Sequence, residues 1–352
     1  MFDLFIIFCV VFILSICFSF FIKKIALKFN ILDNPDGILK KHLKPTPLLG
    51  GTAIFLSFFL GLFLIHKQLV VGDLEYSHWI GVFVGACFLM LGGFLDDRYN
   101  LHPSRQIIFP LLAIISVIFG GVEISKITNP FGGFVFLDKC CLFSFLGNTY
   151  SFVSAFFVLV WLLGMMYTTK LLDGIDGLVT SITAVGALII FLFTMTTRYY
   201  QPDIGLASLV LLASCLGFLL FNWHPAKIFL GEGGSLFLGY ILGVLAVISG
   251  GKIAIALLVM GIPIMDVFLI IVNRLREKKN PFCFADRKHL HFKLLDLGIS
   301  QQKVVIFYII VSLIFGLSAL FLQSLGKLLA LGILVLIMFI IVVFLNYLNR
   351  FE

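Results

Sequence analysis

WIGVFVGACFLMLGGFLDDR, residues 79–98, runs apolar from Trp79 to Leu95 and then closes on two adjacent carboxylates, Asp96 and Asp97, with Arg98 behind them. An apolar run of this length is close to the ~20 residues that a helix needs to cross a bilayer. Carboxylates placed where lipid meets water are expensive to hold there, so this stretch points both to a membrane span and to a charged site at its end.

The rest of the chain repeats the pattern. Of its 352 residues, 61% are hydrophobic and 12% charged, and 41 are Phe; the mean hydropathy is +1.14. Such a composition dissolves in a bilayer rather than packing as a soluble core. Apolar stretches run over 4–22, 49–70, 79–95, 106–122, 152–168, 178–197, 204–221, 235–249, 253–272, 303–323 and 328–345. They predict an all-α, polytopic integral membrane protein of about eleven transmembrane helices. It is read as a single multi-helix domain over 1–352, with no soluble domain of its own.

Charge sets the orientation. No cation precedes the first stretch, and Lys23, Lys24 and Lys28 follow it, so the N-terminus is expected outside and the C-terminus in the cytoplasm. With eleven spans, the loops 23–48, 96–105, 169–177, 222–234 and 273–302 share one face. Of the 25 Lys and Arg, all but Lys67, Lys126, Lys139, Arg198, Lys252 and Lys327 fall on that side, which the positive-inside rule makes cytoplasmic. The net charge of +7 therefore faces anionic headgroups and attracts anionic substrates. A nucleic-acid partner is not expected, because no basic soluble domain exists. The seven cysteines form no CxxC pair and read as small apolar fillers. On the opposite face, Asn129-Pro130-Phe131-Gly132-Gly133 sits between apolar alternations and predicts a hairpin turn.

Five polar clusters lie on the cytoplasmic side. Asp33-Asn34-Pro35-Asp36 leads to Lys40, Lys41, His42 and Lys44; it reads as a positive-inside anchor or as a cationic rim for a phosphate. Asp96 and Asp97 repel each other unless a cation lies between them or one is protonated, which makes Mg²⁺ attractive; the plainer reading is a solvated helix end with Asp97 paired to Arg98. Gly92 and Gly93 would let a neighbouring helix approach closely. Asp173 and Asp176, three apart in Lys170-Leu-Leu-Asp-Gly-Ile-Asp-Gly177, would share a face on a helix. Asn222 to Ser235 carries Phe229 and the turn Gly231-Glu232-Gly233-Gly234 just before a span, where unpaired N–H groups and the helix dipole favour an anion. Glu232 adds a third carboxylate for a shared metal. Last comes Asp286-Arg287-Lys288-His289-Leu290-His291-Phe292; an extended segment, but not a helix, would project His289 and His291 to one side. Asp266, within the preceding span, is an intramembrane acid and a site candidate for that reason. Independent decoration would scatter these clusters over both faces.

Together these motifs resemble the polyprenyl-phosphate N-acetylhexosamine-1-phosphate transferase family, over nearly the whole chain and in the family's order. The histidine loop is closer to the branch that uses simple UDP-N-acetylhexosamines than to the muramoyl-pentapeptide branch. The resemblance implies transfer of a sugar 1-phosphate, with N-acetylglucosamine the first choice, from a UDP-N-acetylhexosamine to a polyprenyl (undecaprenyl) phosphate. UMP would be released, as the first step of cell-envelope polysaccharide synthesis at the cytoplasmic face of the cell membrane. It implies Mg²⁺ as cofactor, with Mn²⁺ as the alternative ion. Residue by residue, it assigns Asp96 and Asp97 to metal binding or acceptor deprotonation and Glu232 to the metal. Asp176 is assigned to catalysis and, with Asp173, to holding the nucleotide; Asn222 and Phe229 to uracil; His289 and His291 to the diphosphate, with Lys44 a further phosphate candidate. Three positions depart from the family's pattern: Glu232 stands where Asp is usual, Lys170 where Asn is common, and Phe292 where a third His occurs. The sequence leaves the sugar, the polyprenol length and the oligomeric state open, a homodimer included.

The rival reading is an ion- or proton-coupled transporter using intramembrane carboxylates. It predicts polar residues near the midplane on several helices, and here Asp266 alone lies clearly inside a span. A CDP-alcohol phosphotransferase would show Ala-Arg after the Asp-Gly element, and this chain does not.

Overall fold

A computed structural model describes residues 2–33, 45–70, 74–129, 133–137, 141–145, 148–196, 200–250, 253–278 and 289–348. The helices are α1 (Phe2–Lys28), α2 (Gly50–Leu64), α3 (Tyr76–Tyr99), α4 (Pro103–Gln106), α5 (Ile108–Phe119), α6 (Phe152–Leu172) and α7 (Leu178–Thr194). They continue as α8 (Pro202–Asn222), α9 (Glu232–Ile248), α10 (Ile253–Val259), α11 (Gly261–Arg276), α12 (Leu290–Asp296), α13 (Gln301–Phe321) and α14 (Ser324–Leu348). Every apolar stretch of the sequence falls on this helical framework, because in lipid a segment must satisfy its backbone groups internally. Six helices (α1, α3, α6, α8, α13 and α14) are long and apolar enough to cross a membrane. The chain is thus a mostly helical, multi-pass membrane protein.

Three two-stranded antiparallel ladders accompany the helices among the described residues. The expected hairpin is present: β3 (Lys126–Thr128) pairs with β4 (Phe134–Phe136), and the Asn129 N–H reaches the Gly133 carbonyl at 3.1 Å. Residues 130–132 of that turn lie outside the described residues. A second hairpin joins β5 (Leu142–Phe145) to β6 (Asn148–Ser151). On the other side, β1 (Leu32–Asp33) pairs with β2 (Thr46–Pro47), drawing both ends of the first polar loop together.

The centre of the bundle is α9, in which every residue from Gly233 to Val247 is buried. A helix apolar all round belongs in the interior, whereas α1 and α14 keep most of their apolar surface exposed, as lipid-facing helices do. Hydroxyl, phenol and indole groups fasten the neighbours: Tyr240 Oη donates to the Val82 carbonyl (3.0 Å), Trp161 Nε1 to the Gly243 carbonyl (3.0 Å) and Ser15 Oγ to the Ser214 carbonyl (2.6 Å). Such interhelical bonds are worth ~0.6 kcal/mol each on average in a membrane protein. Close approach is set by glycine at the N-terminal end of α9. A Cβ on Gly93 of α3 would lie 2.1 Å from the Gly233 Cα, and one on Gly51 of α2 would lie 2.1 Å from the Gly234 Cα. The expected glycine contact of α3 is therefore real, and it brings Asp96 and Asp97 to the start of α9.

Two features depart from the sequence reading. The stretch 253–272 is not one straight span: α10 and α11 are bent by 79°. Pro263 has no N–H to give the carbonyl four residues back, at Val259, and that freed oxygen accepts a hydrogen bond from Ser312 Oγ of α13 (2.8 Å). The histidine segment is also helical rather than extended throughout. His289 is the extended N-cap, with φ −62° and ψ 146°, and His291 lies in the first turn of α12.

Candidate active site

The site lies where α3 and α6 end and α2, α7 and α9 begin. The short turn 223–231, between α8 and α9, is its scaffold, and several of the candidate residues turn out to hold it. Asp176 Oδ2 accepts hydrogen bonds from His224 Nδ1 (2.6 Å) and from the Ala226 N–H (3.1 Å). Asn222 is buried; its Nδ2 donates to the Ile228 carbonyl (3.0 Å), and its Oδ1 accepts from Thr180 Oγ1 (3.2 Å). Half-buried Phe229 is fixed through its backbone, its N–H on the Pro47 carbonyl (2.8 Å) and its carbonyl on the Gly50 N–H (2.9 Å).

The acidic pair divides its work. Asp96 Oδ1 accepts from the Leu101 N–H (2.8 Å) and from Gln106 Nε2 (2.9 Å), which folds the 100–106 turn back onto the end of α3. Asp97 Oδ1 accepts from the Glu232 N–H (3.1 Å), so a carboxylate from α3 caps the start of α9, where Gly231 offers no side chain. The pairing of Asp97 with Arg98 is not what holds it. Glu232 itself pairs with Lys170 Nζ, and that ammonium also donates to Gln106 Oε1 (2.9 Å). Asp173 caps α6 and is exposed, but its carboxyl lies in a crowded recess. Loss of hydration there is the largest push on its pKa, followed by the negative charges of Glu232, Asp97 and Asp176. Together they raise it from 3.8 to about 8. Four carboxylates from the ends of three helices and one turn therefore sense one another.

The histidines join from the far end of the chain. Asp266 of α11 is buried; its Oδ2 accepts from His289 Nδ1 (2.9 Å), and its Oδ1 accepts from the Leu290 N–H (2.9 Å), capping α12 from outside the helix. The His289 and His291 rings stack with centroids 5.4 Å apart and planes at 14°, and Phe292 lies 4.3 Å from His291. His291 is fully buried against the acidic turn: a Cβ on Gly174 would meet its Nε2 at 2.5 Å. The glycine after Asp173 is what lets the histidine segment dock there.

Asp97, Asp173, Asp176, Asn222, Phe229, Glu232, His289 and His291 are thus brought to one end of the bundle, with Asp96 beside them. Lys44 and Asp286 lie outside the described residues. Among the described residues, no three carboxylate, imidazole or thiol side chains are gathered as a ready metal shell. Sequence reasoning missed Gln106, His224 and Thr180. Gln106 sits at the edge of an apolar stretch with no motif around it, whereas His224 stands within the Asn222 cluster and two residues from a proposed ligand, a signal that was legible.

Residues 79–250 match the profile of glycosyl transferase family 4. The chain is 30% identical over 331 residues to a probable undecaprenyl-phosphate N-acetylglucosaminyl 1-phosphate transferase of Bacillus subtilis, covering 92% of this chain and 85% of that protein. It is 29% identical over 294 residues to a decaprenyl-phosphate N-acetylglucosaminephosphotransferase of Mycobacterium tuberculosis, covering 75% and 69%. It is also 33% identical over 311 residues to a phospho-N-acetylmuramoyl-pentapeptide-transferase of Borreliella burgdorferi, covering 80% and 83%.

Proposed function

The chain belongs to glycosyl transferase family 4, the polyprenyl-phosphate sugar-1-phosphate transferases, and on that premise we propose that it transfers N-acetylglucosamine 1-phosphate from UDP-N-acetylglucosamine to a polyprenyl phosphate, releasing UMP. The observation that carries the reading is the convergence of Asp97, Asp173, Asp176 and Glu232 from separate elements at one end of the bundle. Carboxylates so close to one another call for a divalent cation and an anionic ligand.

An oxygen of the lipid phosphate bonds to the phosphorus that carries the sugar. The bond from that phosphorus to the bridging oxygen of UMP breaks, its electron pair leaving on UMP, and the glycosidic bond survives. The donor set Asp96, Asp97 and Glu232 is all carboxylate oxygen, which suits Mg²⁺ chemically. Bound there, the ion supplies neutralisation of charge on the reacting diphosphate. To hold such an ion, Glu232 would exchange its contact with Lys170. Asp173 and Asp176 hold the nucleotide side. Phe229 stacks on uracil, and Asn222 holds the turn that presents it. His289, its ring held by Asp266, and His291 are assigned to the diphosphate, with Lys44 assigned to the same rim. Undecaprenol as the lipid, the cell membrane as the location and a cytoplasmic site complete the proposal.

Purified protein given Mg²⁺, UDP-N-acetylglucosamine and a polyprenyl phosphate is expected to release UMP. Asp97→Asn and Glu232→Gln are each expected to lower the rate by about a hundredfold or more, the scale for loss of a charge-stabilising group. Release of UDP would mean ordinary glycosyl transfer and overturn the mechanism.

A further inference from the structure

We propose that Lys170 is a charge-binding catalytic residue of this site, paired with Glu232 before the metal arrives and freed for a phosphate oxygen of the donor once the metal takes Glu232. The inference rests on the proposed transfer reaction and concerns a residue to which that reading gives no task.

Three observations carry it. First, Lys170 is the lysine or arginine that, among the described residues, pairs with a carboxylate of the cluster. Second, its ammonium joins two of the three residues assigned to the metal. It pairs with Glu232 directly and donates to Gln106 Oε1 (2.9 Å), while Gln106 Nε2 donates to Asp96 Oδ1 (2.9 Å). A single positive charge is thus paired with Glu232 and linked through Gln106 to Asp96, and a divalent cation at these carboxylates would compete with it for Glu232. Third, the two side chains keep 20% and 18% of their surface exposed, although the paired Glu232 Oε1 is itself buried.

A purely structural role has little to explain. The helices that carry the pair, α6 and α9, are already fastened below it by Trp161 Nε1 on the Gly243 carbonyl and by the packing of Gly239 against Met165 and Thr169. Lysine is also suited to movement, as a compact charge on a flexible four-carbon stem with three donors. Lys170 and Glu232 are two of the three positions at which the sequence departs from the pattern it resembles, and they touch each other. A longer acid and a cation in contact read as one coupled change.

The test compares the full-length protein with Lys170→Met and Lys170→Arg in detergent. Mn²⁺ binding is measured directly by electron paramagnetic resonance without substrate, and UMP release is measured with Mg²⁺. Lys170→Met removes the competing charge and keeps the stem. It is expected to bind Mn²⁺ about tenfold more tightly while turnover falls about tenfold or more and the KM for the UDP-sugar rises. Lys170→Arg is expected to keep near-native metal affinity and part of the activity. Unchanged or weaker Mn²⁺ binding by Lys170→Met, or its unchanged turnover, overturns the proposal. If the methionine variant does not fold, an arginine variant with lost metal binding overturns it as well. Should the wild type release no UMP, the transfer reading fails on its own, and the Mn²⁺ comparison still decides the competition for Glu232.

Discussion

Asp173 shows how a single carboxyl reports on the whole cluster. Its pKa is raised from 3.8 to about 8, first by lost hydration and then by its acidic neighbours, and solvent screens part of the effect because the residue is exposed. A carboxyl whose folded value exceeds its unfolded value holds an extra proton in the folded state between those values. The metal-free protein should therefore lose stability as pH rises from about 4 to about 8. A divalent cation reverses the sign by favouring the charged form. The thermal midpoint gained on adding Mg²⁺ over EDTA should be larger at about pH 8.5 than at about pH 5.5. An equal gain at both would show that the carboxylates around Asp173 do not hold the ion. The sequence made these acids legible because charge at a bilayer boundary is costly. It did not disclose that Asp97 caps α9 or that Asp176 grips the 223–231 turn, because partner choice is a tertiary fact.

Among the elements, α11 and α12 carry the reading furthest from the sequence. A hydropathy window over 253–272 sees one apolar run and is blind to the missing N–H of Pro263, so the 79° bend was not legible there. The bend matters because it aims α11 so that buried Asp266 meets both His289 and the first N–H of α12. Asp266 stood out in the sequence as an intramembrane acid, and its carboxylate accepts from His289 Nδ1 and from the Leu290 N–H. Replacing it with Ala should lower turnover roughly tenfold or more, the equivalent of a hydrogen bond to a charged group at ~1.5–3 kcal/mol, and Asn should recover part of this. The KM for the UDP-sugar should rise with Ala more than the thermal midpoint falls. A drop in midpoint with unchanged kinetics of the surviving fraction would make Asp266 a packing residue only.

For the whole molecule, the decisive quantity is the asymmetry of charge. Apolar length made the helical framework legible, since each span must close its own backbone bonds in lipid, and charge made one face of it distinct. The structure adds a difference of length: α2, α7 and α9 have 15, 17 and 17 residues. At 1.5 Å per residue they reach only about 23–26 Å, short of the ~30 Å hydrocarbon core. Their N-terminal ends all lie at the site, beside the C-terminal end of α3 that carries Asp96 and Asp97. The proposed transfer requires this end of the bundle to face the cytoplasm. This requires Lys227, exposed on the 223–231 turn, to face the cytoplasm, and Lys126, exposed on the β3–β4 hairpin, to face outward. In a cysteine-free background, Lys126→Cys should react with a membrane-impermeant maleimide in intact cells. Lys227→Cys should react only after the membrane is opened. Labelling of Lys227→Cys in intact cells would invert the topology and place the carboxylates where a cytoplasmic nucleotide sugar cannot reach them.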